Sequence, residues 1–219
     1  MNPEPPADPP SHWEGVYLTK ASDSVSWFRP HLDTSLALLG QGGLSPDSRV
    51  IDVGGGASTL VDDLLAMGLR DVTVLDLSSR ALAVSRERLG ARGERVQWRV
   101  GDILTVALPE ARFDLWHDRA VLHFLTGPDA AAVYAAQAAR AVRPGGFAVI
   151  GGFAPDGPER CSGLVVARRS AQDIAALMGS AFRCVATRHE QHTTPGGSPQ
   201  SFVWVLLKRI ADAARQSSV

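Results

Sequence analysis

The sequence predicts one α/β domain: a mostly parallel seven-stranded sheet, an antiparallel last strand, and helices on both faces. Three observations carry this. Short β-branched apolar runs alternate with stretches of helical periodicity. Such alternation implies right-handed crossovers and a parallel sheet. A short turn, Thr194-Pro195-Gly196-Gly197-Ser198-Pro199, joins the last two strands into an antiparallel hairpin. The chain has 219 residues, 45% of them hydrophobic and 21% charged, which suffices for one such domain with a full core.

The organising stretch is Arg49 to Thr59, RVIDVGGGAST. Val50, Ile51 and Val53 make a buried strand with Asp52 inside it. Gly54, Gly55 and Gly56 turn the chain, and Leu60, Val61, Leu64 and Leu65 continue at helical spacing. Thr59 and Asp62 suit a capping box, and Gly68 a helix stop. A strand, a glycine turn and a helix start expose backbone N–H groups to a ligand. The dinucleotide fingerprint G-x-G-x-x-G is incomplete, because Thr59 stands at its third glycine.

The remaining elements follow in order. Before the first strand, Trp13, Tyr17, Trp27 and Phe28 cluster, and they suit a packing lid and a pocket wall equally. Pro30 to Leu39 reads as a helix. Val72 to Leu77 is a second strand, ending near Asp76. Ser78 or Ser79 caps a helix to about Leu89. Val96 to Val100 is a third strand, followed by Gly101-Asp102-Ile103. Phe113 to His117 is a fourth, followed by Asp118-Arg119. An alanine-rich helix runs from Pro128 to about Val142, where Arg143-Pro144-Gly145-Gly146 breaks it. Phe147 to Gly151 is a fifth strand and Pro155 to Gly163 a loop. Ser170 to Met178 is a helix. Phe182 to His189 and Phe202 to Lys208 are the closing strands. The organisation expected is a disordered lead over 1–10, an aromatic and helical lid over 11–44, the main domain over 45–210, and a frayed tail over 211–219.

Composition weighs against several classes. Lys and Arg number 22 against 23 Asp and Glu, so no basic footprint for nucleic acid exists. No apolar run is long enough to span a membrane. The opening MNPEPPADPP lacks the parts of a secretion signal. Cys161 and Cys184 lack metal-like spacing and read as free thiols of a cytoplasmic protein. His189 and His192 stand three apart on a strand ending, hence on opposite faces, which disfavours a metal site.

Taken in order, the glycine turn, the acid ending strand two, Gly-Asp-Ile after strand three, the aromatic fourth strand, the R-P-G-G turn and the antiparallel hairpin resemble a class I, Rossmann-like methyltransferase that uses S-adenosylmethionine (SAM). The resemblance covers roughly residues 45 to 208. The segment Trp116-His117-Asp118-Arg119-Ala120 resembles the W-D-R-G-A of thiopurine methyltransferases, with a histidine inserted and alanine for glycine. Less closely it resembles a segment of lysine methyltransferases, including one that modifies citrate synthase. The stretches VIDVGGGAS, HDRAV-HFL and FAPDGPERCSGL look like a bacterial branch of such enzymes.

This resemblance implies the cofactor SAM and the product S-adenosylhomocysteine. It implies that the backbone of Gly54, Gly55 and Gly56 passes close to the methionyl part, and that Asp52 meets the ammonium. Asp76 would hold the ribose, Leu77 and Ile103 the adenine ring, and Asp102 its amino group. Trp27 and His117 would also contact the cofactor. His117, Asp118 and Arg119 fall where methyl transfer occurs in that family. His117 suits a base near neutral pH and equally a structural loop anchor. Asp118 suits an amine, and Arg119 an anionic acceptor or Asp118 itself. His123 reads as structural.

The function expected is methyl transfer to a small-molecule thiol, metalloid oxyanion, amine or hydroxyl, by a monomer without nucleic-acid or membrane partners. Methylation of a protein lysine is the alternative. A non-catalytic SAM-binding module is disfavoured because the glycines and Asp76 are retained. A nicotinamide dehydrogenase is disfavoured by the missing fingerprint glycine.

Overall fold

The computed structural model describes residues 8–211. Seven strands form the main sheet. They are β1 (Arg49–Val53), β2 (Asp71–Asp76), β3 (Val96–Val100), β4 (Phe113–Arg119), β5 (Val142–Phe153), β8 (Phe182–Thr193) and β9 (Pro199–Arg209). Their order is β3-β2-β1-β4-β5-β9-β8. β1 to β5 pair in parallel, and β9 runs antiparallel to both β5 and β8. The hairpin expected at Thr194 to Pro199 is therefore present, and the sheet is parallel except at that side.

Helices cover both faces, as the periodicity requires. On one face, α5 (Pro128–Ala141) and α6 (Ala171–Met178) bury Tyr134, Ala138, Ile174 and Met178 against Ile51, Trp116, Ile150 and Val205. On the other, α2 (Asp33–Gln41), α3 (Leu60–Ala66) and α4 (Ser79–Leu89) bury Leu38, Leu39, Leu64 and Leu82 against Val50, Val74, Val149 and Leu206. Alternation along β1 sends Ile51 and Val53 one way, and Val50 with Asp52 the other. Burial of these side chains, about 1.5–3 kcal/mol each, is the main stabilising term. Gly151 is required by this packing, since a Cβ there would lie 2.5 Å from the Trp204 ring.

Several boundaries differ from expectation, each for a local reason. A helix α1 (Pro9–Thr19) begins inside the stretch expected to be a lead, with proline in its first turn. Residues 1–7 and 212–219 lie outside the described residues. Thr59 forms no capping box, because its hydroxyl donates instead to the Arg29 carbonyl at 2.9 Å. The Leu60 N–H finds Ser58 Oγ at 3.2 Å. Gly68 does stop α3, at φ +87. β4 runs two residues past His117 and so carries Asp118 and Arg119 as strand residues. The Arg143 to Gly146 turn is absorbed into β5, since Val142 already pairs with Phe113 across a register shift. Part of the loop expected over Pro155 to Gly163 pairs as β6 (Arg160–Cys161) with β7 (Leu164–Val165). His189 is exposed and His192 buried, so the two do face apart.

At the other end of β1 and β4 from the glycine turn, Asp114 ties three segments together. It accepts from the Arg49 backbone N–H at 2.8 Å, from Arg49 Nε at 2.9 Å, and from Arg143 Nε. Burial alone would raise its pKa, but the Arg49 and Arg143 bonds hold it well below the usual carboxylate value. A depressed carboxylate contributes stability above its unfolded pKa, and that contribution is lost as pH falls through the folded one. Asp114→Asn is therefore expected to cost about 1–3 kcal/mol at neutral pH. The gap to wild type should narrow as pH drops below about 4. Urea denaturation at both pH values measures this; an equal gap at both would assign the stabilisation to geometry rather than charge.

Candidate functional site

The site begins with Asp52. Parallel pairing sets Asp52 of β1 beside His117 of β4, so both side chains leave the same face of the sheet. His117 Nδ1 lies 2.7 Å from Asp52 Oδ1, and its Nε2 lies 2.9 Å from the Ser35 hydroxyl of α2. The ring also stacks on Trp204 at 6.2 Å between centroids. Asp52, His117 and Ser35 are all at most 2% exposed. Both ring nitrogens are thereby engaged, one by the carboxylate and one by the hydroxyl.

This chain of bonds holds one oxygen of Asp52 and leaves the other free. Oδ2 is buried without a hydrogen-bond partner. It lies directly under the glycine turn, where a Cβ on Gly55 would come within 2.5 Å of it. Gly54, at φ +67, lies so close to Val121 that a Cβ would meet its side chain at 2.0 Å. Two glycines are thus required by close approach, one to the acid of β1 and one to the turn after β4.

A cleft of about 30 Å³ opens here, lined by Tyr17, Trp27, Asp52, Gly54, Gly55, Ser58, His117 and Arg119. Arg119 is stretched across it. Its Nη1 donates to the Trp27 carbonyl at 2.7 Å, and its guanidinium lies 5.2 Å from the Phe202 ring centre. Nη2 is buried without a partner. Burial lowers the Arg119 pKa to about 10, with Glu190 opposing the shift, so it stays charged at neutral pH. One unsatisfied anionic acceptor and one unsatisfied cationic donor therefore share a cleft. That arrangement suits a ligand carrying both an ammonium group and an anionic group.

The rest of the expected site divides. Asp76 ends β2 beside Gly56, whose ideal Cβ would lie 2.8 Å from Asp76 Oδ2 and 3.3 Å from the Tyr17 hydroxyl. Its Oδ1 accepts the Ser78 N–H at 2.8 Å. Burial pushes the Asp76 pKa up to about 7, against the Ser78 and Gly56 N–H bonds. Leu77 is half-buried at the same strand end. After β3, Asp102 Oδ1 accepts the Leu104 N–H at 2.8 Å, and Ile103 is buried within the core cluster that includes Leu75.

Asp118 faces the opposite side of the sheet from Asp52. It accepts from the Val121 and Leu122 N–H groups at 2.7 and 3.0 Å and from the Tyr134 hydroxyl at 2.6 Å. It ties the turn after β4 to α5 and does not line the cleft. Three participants escaped sequence reasoning: Ser35, Tyr134, and the placement of Tyr17 over Gly56. Tyr134 was findable, being the one large polar residue on the apolar stripe of an alanine-rich helix.

The segment before β1 is fastened at several points. Glu14 of α1 accepts from the Ser79 N–H at 2.6 Å and the Ser79 hydroxyl at 2.9 Å, capping the start of α4. Trp13 meets Trp27 and Phe124 edge-on at 5.9 and 5.1 Å. His192 Nε2–H donates to the Ser26 carbonyl at 2.7 Å, and Arg29 pairs with Glu190.

Comparison with known proteins bears on the domain and the fold. A family model described as a methyltransferase domain matches residues 50–146. A structure from work on converting a disulfide bond into a thioacetal group during echinomycin biosynthesis covers 93% of this chain and 93% of its own. Its TM-score is 0.76 at 22% identity. The 1,6-didemethyltoxoflavin-N1-methyltransferase of Burkholderia thailandensis, solved with 1,6-didemethyltoxoflavin and S-adenosylhomocysteine bound, has a TM-score of 0.71 at 23% identity. It covers 95% of this chain and 93% of its own. Among curated proteins, the eEF1A lysine and N-terminal methyltransferase of Mus musculus is 23% identical over 111 residues. That match takes in 51% of this chain and spans only 16% of the mouse protein.

The Asp118 anchor gives a test of the turn. Burial raises the Asp118 pKa to about 6, outweighing its three hydrogen bonds. A raised carboxylate stabilises the fold below its unfolded pKa, and this stabilisation is lost as pH rises through the folded value. Tyr134→Phe removes a donor to the charged form and should cost about 1–3 kcal/mol at pH values above about 7. The cost should shrink below about pH 5, where Asp118 is protonated. Denaturation across that range measures it; a cost independent of pH would assign the hydroxyl's role to the bond it accepts from Trp116 Nε1 at 3.0 Å.

Proposed function

We propose that this chain, which carries a class I, Rossmann-like SAM-dependent methyltransferase domain, transfers a methyl group to a small-molecule nucleophile. The fit of the cofactor rests on features of the site itself. Asp52 Oδ2 is a buried acceptor with no partner, and the Gly55 backbone runs so close over it that a Cβ there would lie 2.5 Å away. In this reading Asp52 takes the SAM ammonium, and the Gly54 to Gly56 backbone lies along the methionyl chain. Asp76 takes the ribose hydroxyls, Leu77 and Ile103 flank adenine, Asp102 takes its amino group, and Trp27 closes the side. When bound, SAM supplies an electrophilic methyl on a sulfonium and departs as S-adenosylhomocysteine.

The residues of this chain then have distinct tasks. His117, with both nitrogens engaged, acts as a positioning residue that fixes the free oxygen of Asp52. That is a different role from the base considered on sequence grounds. Asp118 sets the turn after β4. Arg119 presents its free Nη2 to an anionic group, either the cofactor carboxylate or an anionic acceptor such as a thiolate or oxyanion. Methyl transfer needs approach, alignment and exclusion of water, and a base only where the nucleophile arrives protonated.

The observation that carries the small-molecule reading is cover. Tyr17 and Trp27 wall the cleft beside Gly54 and Arg119, and Trp13 extends the aromatic cover to Phe124 beyond β4. A protein amine as acceptor is the second reading, supported by the name of the curated mouse relative. Incubation with methyl-labelled SAM separates the two. Label in thiols, oxyanions, amines or phenols supports the first, and label only in protein from a lysate supports the second.

Asp76 gives the sharper prediction for the cofactor. Its ionised form accepts ribose hydroxyls, and burial holds its pKa at about 7. Affinity for S-adenosylhomocysteine should therefore rise with pH between about 6 and 8. Asp76→Ala should bind roughly ten-fold or more weakly, with that pH dependence gone, since each lost bond to the carboxylate is worth about 1–3 kcal/mol. Titration calorimetry reads both, and unchanged affinity would remove Asp76 from the cofactor site.

A further inference from the structure

A second cavity lies at the carboxyl end of β5, just past that of β4, and a histidine whose ring nitrogens have no partner lines it. The cavity, about 10 Å³, is bounded by His123, Gly152, Phe153, Ala167, Arg169 and Ile174. His123 is 2% exposed, and both of its ring nitrogens are buried without a partner. A buried imidazole left without partners loses its hydration for no return, so a fold keeps one only where something offsets it. Its backbone is well held, with the Ala167 N–H on the His123 carbonyl at 2.8 Å. The ring packs against aromatic neighbours, Phe124 edge-on at 4.3 Å and Phe153 at 4.9 Å.

Position decides what this ring is for. His123 follows Arg119 by four residues, on the far side of the Ala120 to Leu122 turn that packs against Gly54. Phe124 links it to the lid through Trp13. The nearby cations Arg169 and Arg119 oppose a proton on the ring, and burial opposes it more, which lowers its pKa to about 3. The ring is thus a neutral imidazole, offering one N–H donor and one lone pair. Arg169 is spent on the Leu122 and Leu125 carbonyls at 2.8 and 2.7 Å, which stiffens the turn bearing His123.

We propose that His123 recognises the methyl acceptor, and that the acceptor is a flat aromatic hydroxyl compound of the phenol class. Phe124 and Phe153, whose rings pack on the imidazole, suit an aromatic body, and a hydroxyl both donates and accepts, as a neutral imidazole does. The cavity is too small for such a body with its present walls. Entry therefore requires the covering segment around Ala167 to move outward. This inference rests on the methyltransferase reading above, and deepens it by naming the acceptor class.

The probe is 4-nitrophenol, titrated into protein saturated with S-adenosylhomocysteine. Wild type should bind it. His123→Phe keeps an aromatic ring and loses both polar atoms, and should bind it roughly ten-fold more weakly with S-adenosylhomocysteine affinity unchanged. His123→Asn, which restores a donor and an acceptor, should recover part of the loss and decides the matter if the phenylalanine variant does not fold. Equal binding by wild type and variants, or none by wild type, overturns the proposal and leaves His123 as the partner of a buried water. Failure of S-adenosylhomocysteine to bind wild type would sink the cofactor reading instead. The same titration on the unliganded protein would then judge His123 on its own.

Discussion

A carboxylate inside a buried strand has to be held, and Asp52 is held from one side only. The hydrogen bond from His117, itself backed by Ser35 and by the Trp204 ring, fixes one oxygen and aims the other at the glycine turn. Much of the local architecture answers to that. β1 and β4 are neighbours in the sheet order, so that Asp52 and His117 fall in register. Gly55 is glycine because the free oxygen is there. Gly151 is glycine because Trp204, which backs the histidine, needs its space. A carboxylate this poorly solvated is costly unless it is hydrogen-bonded, and the His117 ring supplies that bond to one oxygen. The remaining electrostatic demand faces the cleft.

β4 is the element through which both faces of the sheet serve the site. Alternate residues of one strand look opposite ways, so His117 and Asp118 have different surroundings although they are adjacent. His117 joins the cleft, and Asp118 joins α5 through Tyr134. Arg119 returns to the cleft face, where it spans from the Trp27 carbonyl to the Phe202 ring. Three consecutive polar residues thus serve a pocket, a turn and a lid contact.

The parts legible in the sequence were those that depend on periodicity and on backbone geometry. The strand-turn-helix of Arg49 to Ala66 was legible because glycines mark close approach and branched residues mark strands. The α4 start at Ser78 and the β3 span were legible because a cap and an alternating run act locally. What the sequence hid was set by contacts between distant segments. Thr59 reads as a helix cap, yet a carbonyl thirty positions earlier takes its hydroxyl. His117 reads as a base until Ser35, on another helix, is seen to occupy its second nitrogen. His123 reads as structural because a sequence does not display the partners that a buried ring lacks.

The placement of Tyr17 has a kinetic side. Its hydroxyl lies over Gly56, next to Asp76, on a helix latched to α4 through Glu14. A ligand held by Asp76, as proposed above, would meet that ring, and its arrival would then depend on release of the latch as well as on collision. Association through such a gate levels off as ligand concentration rises, at the rate of helix opening. The latch is a carboxylate on a helix start near the surface, an interaction that dissolved salt screens. Ionic strength would thus change how fast the site fills more than how tightly the ligand is held once inside.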